Sequence, residues 1–225
     1  MSIYAPFCAP VAHNTNDTTT KGNTMKVTVN ANILACASRF AGKKDVRYYL
    51  NFVRIEAAQD GSGIVVIATD GHRIVAMQDE TGTMEGGKAC AVTAMPKIKV
   101  PKGKDALVTF ADGRASMPDG SSVPAVCEPD GNGAVGRFPD WRVCMPWNAP
   151  DAPVTAAFNG HYLGAFADVP AAYGNKYACV TVHQRGERAA LVTFGDAIPA
   201  IACCMPMRQE VSAHGGVLAA LGMTP

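Results

Sequence analysis

The sequence is short of charge: Asp, Glu, Lys and Arg make up 17% of its 225 residues, and their balance is +1. With 48% apolar residues and a mean hydropathy of +0.05, the profile is that of a soluble globular chain rather than a disordered one. The charge balance leaves nucleic acid open, since a neutral chain can still carry a basic stripe. No apolar run approaches the roughly 20 residues that a membrane-spanning helix needs, so no membrane partner is expected. No Cys-x-x-Cys pair occurs among the eight cysteines, at positions 8, 36, 90, 127, 144, 179, 203 and 204. A zinc ribbon is therefore not expected, nor any other metal site. Several of these cysteines lie in apolar, strand-like runs, where a free thiol behaves as a small hydrophobe. A reducing, cytoplasmic setting follows, with a disulfide framework as the lesser alternative. A phosphate loop is lacking too. Gly131, Asn132, Gly133 and Gly136 are not followed by Lys-Ser/Thr, and no cofactor is expected.

What is present begins as a change of texture. Residues 1–24 lack the basic start and apolar stretch of a signal peptide, and 14–24 (NTNDTTTKGNT) is polar and of low complexity. This segment is expected to be disordered, with the ordered fold opening at Met25. Residues 26–29 then read as a strand and Asn30 as a helix cap. Ile33, Leu34, Ala37 and Phe40 share one helical face, and Gly42 closes the helix. Strands are expected at 48–57, 63–68 and 73–78, with Asp-Gly turns at 60–61 and 70–71. A second unit spans 88–127, where Pro96 and Pro101 break any long helix and strands fall at 106–111, 114–117 and 122–127. A third unit resembles the first. It has a strand at 154–158, a cap at Asn159, a helix face marked by Leu163 and Phe166, and strands at 177–184, 189–194 and 200–205. The spacing from Asn30 to Leu34 recurs from Asn159 to Leu163, as expected for copies of one supersecondary unit.

Three segments carry more than pattern. Residues 45–51 read DVRYYLN, 68–74 read ATDGHRI and 137–142 read RFPDWR; residues 205–208 then read MPMR. In this order and at about this spacing they resemble signatures of the bacterial DNA sliding clamp, the β subunit of DNA polymerase III. The resemblance implies an α+β DNA-clamp fold, with repeated strand–helix–strand units and antiparallel sheets. It implies a clamp-like domain over 25–147, similar to the family's middle domain. Residues 148–208 would be a half domain, similar to the end of its last domain, and 209–225 an extra tail. The family's closed dimeric ring is put in doubt by that shortening, so a homo-oligomer is expected only if a ring closes.

The same resemblance implies two sites. One is a pocket for short hydrophobic motifs of DNA polymerase or repair partners. It would be formed by Leu50, Thr69, Gly71, His72, Arg73, Ile74, Pro139, Val143, Cys144, Cys203, Met205, Pro206 and Met207. Apolar and soft Met side chains suit a partner's Leu or Phe. Val143 departs from the family, which usually has a basic residue there. The competing reading of these positions is ordinary core, and of 69–73 an ordinary hairpin turn. The other site is a double-stranded DNA contact of Lys43, Lys44, Arg47, Tyr48 and Tyr49, combining phosphate neutralisation with aromatic rings. Its competing reading is a solvated helix end. Lys97, Lys99, Lys102 and Lys104 read as a solvated loop.

The expected function is a non-catalytic processivity or docking factor in DNA replication. A first alternative is a clamp-fold decoy or adaptor, of phage or plasmid type, that binds partner peptides without encircling DNA. A remote one is a hydrolase pairing a cysteine with His72 or His183, for which no partnered nucleophile is visible. The tail 209–225 carries Val211, Val217, Leu218 and Leu221, enough for a short amphipathic helix.

Overall fold

A computed structural model describes residues 25–101, 106–129, 136–145 and 156–207. Residues 1–24, 102–105, 130–135, 146–155 and 208–225, with Lys102, Lys104 and the segment 131–133 among them, lie outside the described residues.

Strand β1 (Lys26–Asn30) buries Val27 and Val29 and leaves Lys26 exposed, the alternation of a strand with one core face. Helix α1 (Ala31–Ser38) starts where the Asn30 side chain accepts from the amides of Asn32 (2.9 Å) and Ile33 (3.5 Å). It ends at Ser38, short of Gly42, because Arg39 and Phe40 turn back onto the carbonyls of Cys36 and Ala37. Gly42 serves the following turn instead, where its amide donates to the Leu50 carbonyl at 2.7 Å.

The strand expected over 48–57 is only half strand. Residues Tyr48–Asn51 form a 3-10 turn, and β2 (Phe52–Ala57) follows. Asn51 is the reason. Its amide group donates to the carbonyls of Asp45 (2.9 Å) and Tyr48 (3.3 Å), and its oxygen accepts from the Asp45 amide at 2.9 Å. Those bonds coil the chain before it can extend.

Strands β3 (Ile64–Thr69) and β4 (Arg73–Asp79) follow as a hairpin, with β5 (Thr83–Glu85) after it. In the second unit β6 (Ala89–Thr93) leads into residues 94–101, which run without a helix. The clamp resemblance implies a helix in each unit, and the prolines remove this one. Strands β7 (Leu107–Ala111) and β8 (Arg114–Ser116) form the next hairpin. The single strand expected over 122–127 divides into β9 (Ser122–Pro124) and β10 (Cys127–Pro129), which belong to different sheets. The switch is fixed by Ala125 donating to the Gly113 carbonyl (2.9 Å) and Val126 to the Thr93 hydroxyl (2.8 Å).

After the one-turn helix α2 (Trp141–Cys144) come α3 (Gly160–Ala165) and α4 (Asp168–Ala172). Asn159 caps α3 by accepting from the His161 amide at 3.0 Å, the device that Asn30 uses for α1. Strands β11 (Thr181–His183), β12 (Ala190–Thr193) and β13 (Ala200–Cys204) complete the third unit. β11 is shorter than the 177–184 expected, since its single partner β12 has four residues and leaves 177–180 unpaired. Of the strand expected over 154–158, the described residues show one bridge, Ala157 to Met207.

The strands make two antiparallel sheets, β5-β1-β7-β8-β9 and β10-β6-β2-β3-β4-β13-β12-β11. The second runs through both segments that the sequence separates at 147, because β13 pairs with β4 from Ala200↔Met77 to Cys204↔Arg73. Helix α1 packs on this sheet with α4 beside it, and the main core fills the space around α1. Phe40, Phe166 and Phe194 pack in series through that core with their rings tilted, at centroid distances of 5.4 Å and 6.3 Å. Phe166 joins the third unit to the first, so Phe166→Ala should destabilise the whole chain by about 3–5 kcal/mol. Urea unfolding followed by circular dichroism measures this, and a loss confined to a minor transition would show the units to be independent.

Candidate functional site

Five stretches of chain converge at one end of the β4–β13 ladder: the 3-10 turn, the β3–β4 hairpin, α2, the start of β12 and the end of β13. The hairpin is built by its own side chains. The Thr69 hydroxyl donates to the Arg73 carbonyl (2.8 Å) and accepts from the Gly71 amide (3.0 Å). Asp70 accepts from the amides of His72 (3.0 Å) and Arg73 (3.1 Å) and from the Arg73 guanidinium (3.1 Å). Gly71 has φ +88°, a conformation that favours glycine, and the Arg47 guanidinium fills the space where a Cβ would stand, 2.8 Å away.

Arg73 then reaches away from the turn. It donates to the Arg39 carbonyl at 2.9 Å and lies over the rings of Phe40 (4.6 Å) and Tyr162 (5.0 Å). His72 stacks on Tyr162 at 5.8 Å, and its carbonyl accepts from the Met205 amide at 2.8 Å. The first and third units thus meet at this hairpin.

The opposite wall is α2 and the residues before it. Asp140 caps α2, accepting from the Arg142 amide at 3.2 Å. Buried Glu56 on β2 holds it down: Trp141 Nε1 donates at 3.3 Å, the Arg142 guanidinium is paired with the same oxygen, and Arg54 donates to the other at 3.2 Å. Phe138 packs edge-on to Tyr49 at 6.4 Å, within a second, smaller core on the sheet face away from α1.

Between these walls lies a cavity of about 180 Å³. Of the pocket residues expected from the sequence, Leu50, Thr69, Gly71, His72, Arg73, Ile74, Pro139, Cys144, Cys203 and Met205 line it. Val143, Pro206 and Met207 do not. Val143 stands 82% exposed on the far side of its one-turn helix, and Met207 is held by its amide to the Ala157 carbonyl at 2.8 Å. Met205 lines the cavity and is 48% exposed, so it is not a plain core residue.

The residues expected to touch DNA are divided. Lys43, Lys44 and Tyr48 border a separate open depression of about 660 Å³ between the end of α1 and residues 94–96. Arg47 and Tyr49 line the smaller cavity instead. A 3-10 turn rotates successive side chains by about 120°, so neighbours in sequence face different surfaces. Sequence reasoning also missed Trp141 and Ala189. Trp141 sits inside the RFPDWR segment and was within reach; Ala189 carries no local signal.

Electrostatics reinforce the turn. Asp45 is held at about 2 by the guanidinium of Arg47, 2.9 Å away, and by the Arg47 amide. Burial pushes the Cys203 thiol up to about 12. Among the described residues no group of three His, Cys, Asp or Glu is placed to hold a metal ion, and no helix is long and apolar enough to cross a membrane.

Comparison with solved structures gives the architecture its relatives. The DNA polymerase sliding clamp from Pseudomonas aeruginosa superposes with a TM-score of 0.55 at 17% identity, over 87% of this chain and 70% of that one. The DNA polymerase III subunit beta from Borrelia burgdorferi, in complex with a natural product, gives 0.58 at 12% identity, over 85% and 66%. The sliding clamp from Bartonella birtlesii, bound to griselimycin, gives 0.51 at 15%, over 91% and 68%. The fold is that of the bacterial sliding clamp. No protein-family model matches the sequence, and no curated protein matches it. The clamp fold is therefore carried here by topology, with Asn-capped helices and antiparallel sheets, and with no helix among the described residues of the second unit.

The Asp45–Arg47 pair has a direct readout. The Asp45 carboxylate should titrate near about 2 in the folded chain, against about 3.9 for an unperturbed Asp. Its folded value is depressed, so its contribution is present above about pH 3.9 and is lost as pH falls through about 2. Carboxyl carbon shifts followed by NMR from about pH 6 down to about pH 1.5 measure it. Arg47→Ala should return the midpoint towards the ordinary value.

Proposed function

We propose that this chain is a sliding-clamp-like docking protein, which seats the short hydrophobic motif of a DNA polymerase or repair partner in the cavity between the β3–β4 hairpin, α2 and β13. One observation carries the reading. Segments far apart in sequence, each similar to a clamp signature, converge on a single small cavity with Ile74, Leu50, Pro139 and Met205 in its wall. Apolar side chains there offer burial for a partner's Leu or Phe, and Met205 adapts its shape to either. Arg47 and His72 in the same wall supply donors for the partner's backbone or polar residues. The expected role is non-catalytic, in replication or repair.

Affinity for a peptide bearing such a Leu/Phe motif should be micromolar, corresponding to about −8 kcal/mol. Isothermal calorimetry tests this, and no heat at high peptide concentration would remove the docking assignment. Met205→Ala separates docking from packing. Its half-exposed side chain predicts a melting temperature close to that of the parent and a clear loss of affinity. A core residue would instead cost about 2–5 kcal/mol of stability.

A second reading, an adaptor that docks partners without encircling DNA, is favoured by the lining of the depression beside Tyr48, in which Lys43 and Lys44 are the cations among the described residues. Each phosphate contact adds about one unit to the salt slope. Double-stranded DNA should accordingly bind weakly and be lost between about 50 and about 200 mM salt. Fluorescence anisotropy measures it, and tight binding that persists at the higher salt would place the DNA surface elsewhere. Mass in solution decides between a closed oligomer and a monomeric adaptor.

A further inference from the structure

We propose that Cys144 and Cys203 are a redox lock on the docking cavity, joined as a disulfide by a small disulfide oxidant and released by a thiol reductant. The inference rests on the docking reading and adds to it a means of regulation.

Both cysteines line the cavity, from opposite walls. Cys203 is fixed on β13 by its pairing with Ile74, and Cys144 ends the one-turn helix α2. The Cys203 thiol already reaches across the gap, 3.7 Å from the Cys144 carbonyl oxygen. The charge on Cys144 is also among the influences on the Cys203 thiol, as expected for sulfurs in the same pocket. Exposure divides the work between them, since Cys144 is exposed and Cys203 buried.

Two other pairings are less suited. Cys203 and Cys204 are neighbours on one strand, and the pleat sends their side chains to opposite faces. Cys90 and Cys127 share a hydrogen bond between β6 and β10, but border no docking cavity.

The chemistry balances with oxidised glutathione as the oxidant. The Cys144 thiolate attacks one glutathione sulfur, forming a mixed disulfide and expelling one glutathione thiolate. The Cys203 sulfur, giving up its proton to solvent, then attacks Cys144 Sγ and expels the second glutathione thiolate. Two protein thiols lose two electrons and two protons, and one glutathione disulfide becomes two thiols. The new bond, about 2.05 Å long, draws α2 onto β13 and takes space that a partner's side chain needs.

The test uses the full chain. After incubation with oxidised glutathione and quenching with an alkylating agent, peptide mapping by mass spectrometry should find Cys144 linked to Cys203. That species is lighter by two hydrogens than the two reduced peptides and disappears with dithiothreitol. Affinity for the Leu/Phe peptide should fall by about tenfold or more on oxidation and return on reduction. Cys90→Ser should keep the link, whereas Cys203→Ser should stop at the mixed disulfide on Cys144. A map in which Cys144 carries glutathione alone, or in which Cys203 pairs with Cys204, overturns the proposal. So does a complete Cys144–Cys203 link with unchanged peptide affinity. If the reduced chain binds no peptide, the docking reading fails by itself, and the linkage map still decides whether the two thiols pair.

Discussion

The ladder between β4 and β13 is the constraint on which everything else depends. Its five residue pairs join strands on the order of a hundred positions apart, and no local propensity asks for that pairing. Once it forms, β12 and β11 extend the sheet, Phe166 meets Phe40, and Tyr173 on the far side of α4 donates to the Gln78 carbonyl at 2.7 Å. Arg39, just past the end of α1, and Asp168 on α4 close the contact with a 2.6 Å ion pair. Without the ladder β11, β12 and β13 would be a three-stranded sheet with both edges uncovered.

The cavity is a by-product of how that ladder ends. At Cys204↔Arg73 the pairing runs into the β3–β4 turn, and the chain beyond bends past it. A turn that tight leaves Gly71 no side chain, and Arg47 moves into the space. The opposite wall needs a different solution, because α2 is too short to hold itself in place. Glu56 supplies it from beneath, collecting Trp141, Arg142 and Arg54 around one buried carboxylate. A buried acid with three donors costs desolvation, which its charge-assisted bonds offset only while all of them are made.

Local chemistry was legible in the sequence and geometry between distant segments largely was not. The Asp70-Gly71 turn and the Asn30 and Asn159 caps could be read directly, since each is specified by residues a few positions apart. The 3-10 turn could not, because an apolar, aromatic run reads as strand until Asn51 is seen bonding back to Asp45. That turn places Arg47 and Tyr49 in the smaller cavity, apart from Lys43, Lys44 and Tyr48. The division of 122–127 between two sheets was hidden for a similar reason, as a continuous alternation gives no sign of where the chain changes layer. The clamp signatures located most of the cavity wall because they are contiguous; Ala189, which arrives from β12 with no motif around it, was invisible.

The order in which the walls are synthesised has a consequence for timing. The hairpin and the 3-10 turn leave the ribosome early, α2 later, and Cys203 and Met205 after everything else that lines the cavity. Long-range antiparallel pairing is slow to form, because the loop must close before its contacts repay the entropy. A nascent chain therefore carries one wall of the cavity well before the wall that faces it. The cavity is complete only once β13 zips onto β4, so its formation reports that the first and third units have joined.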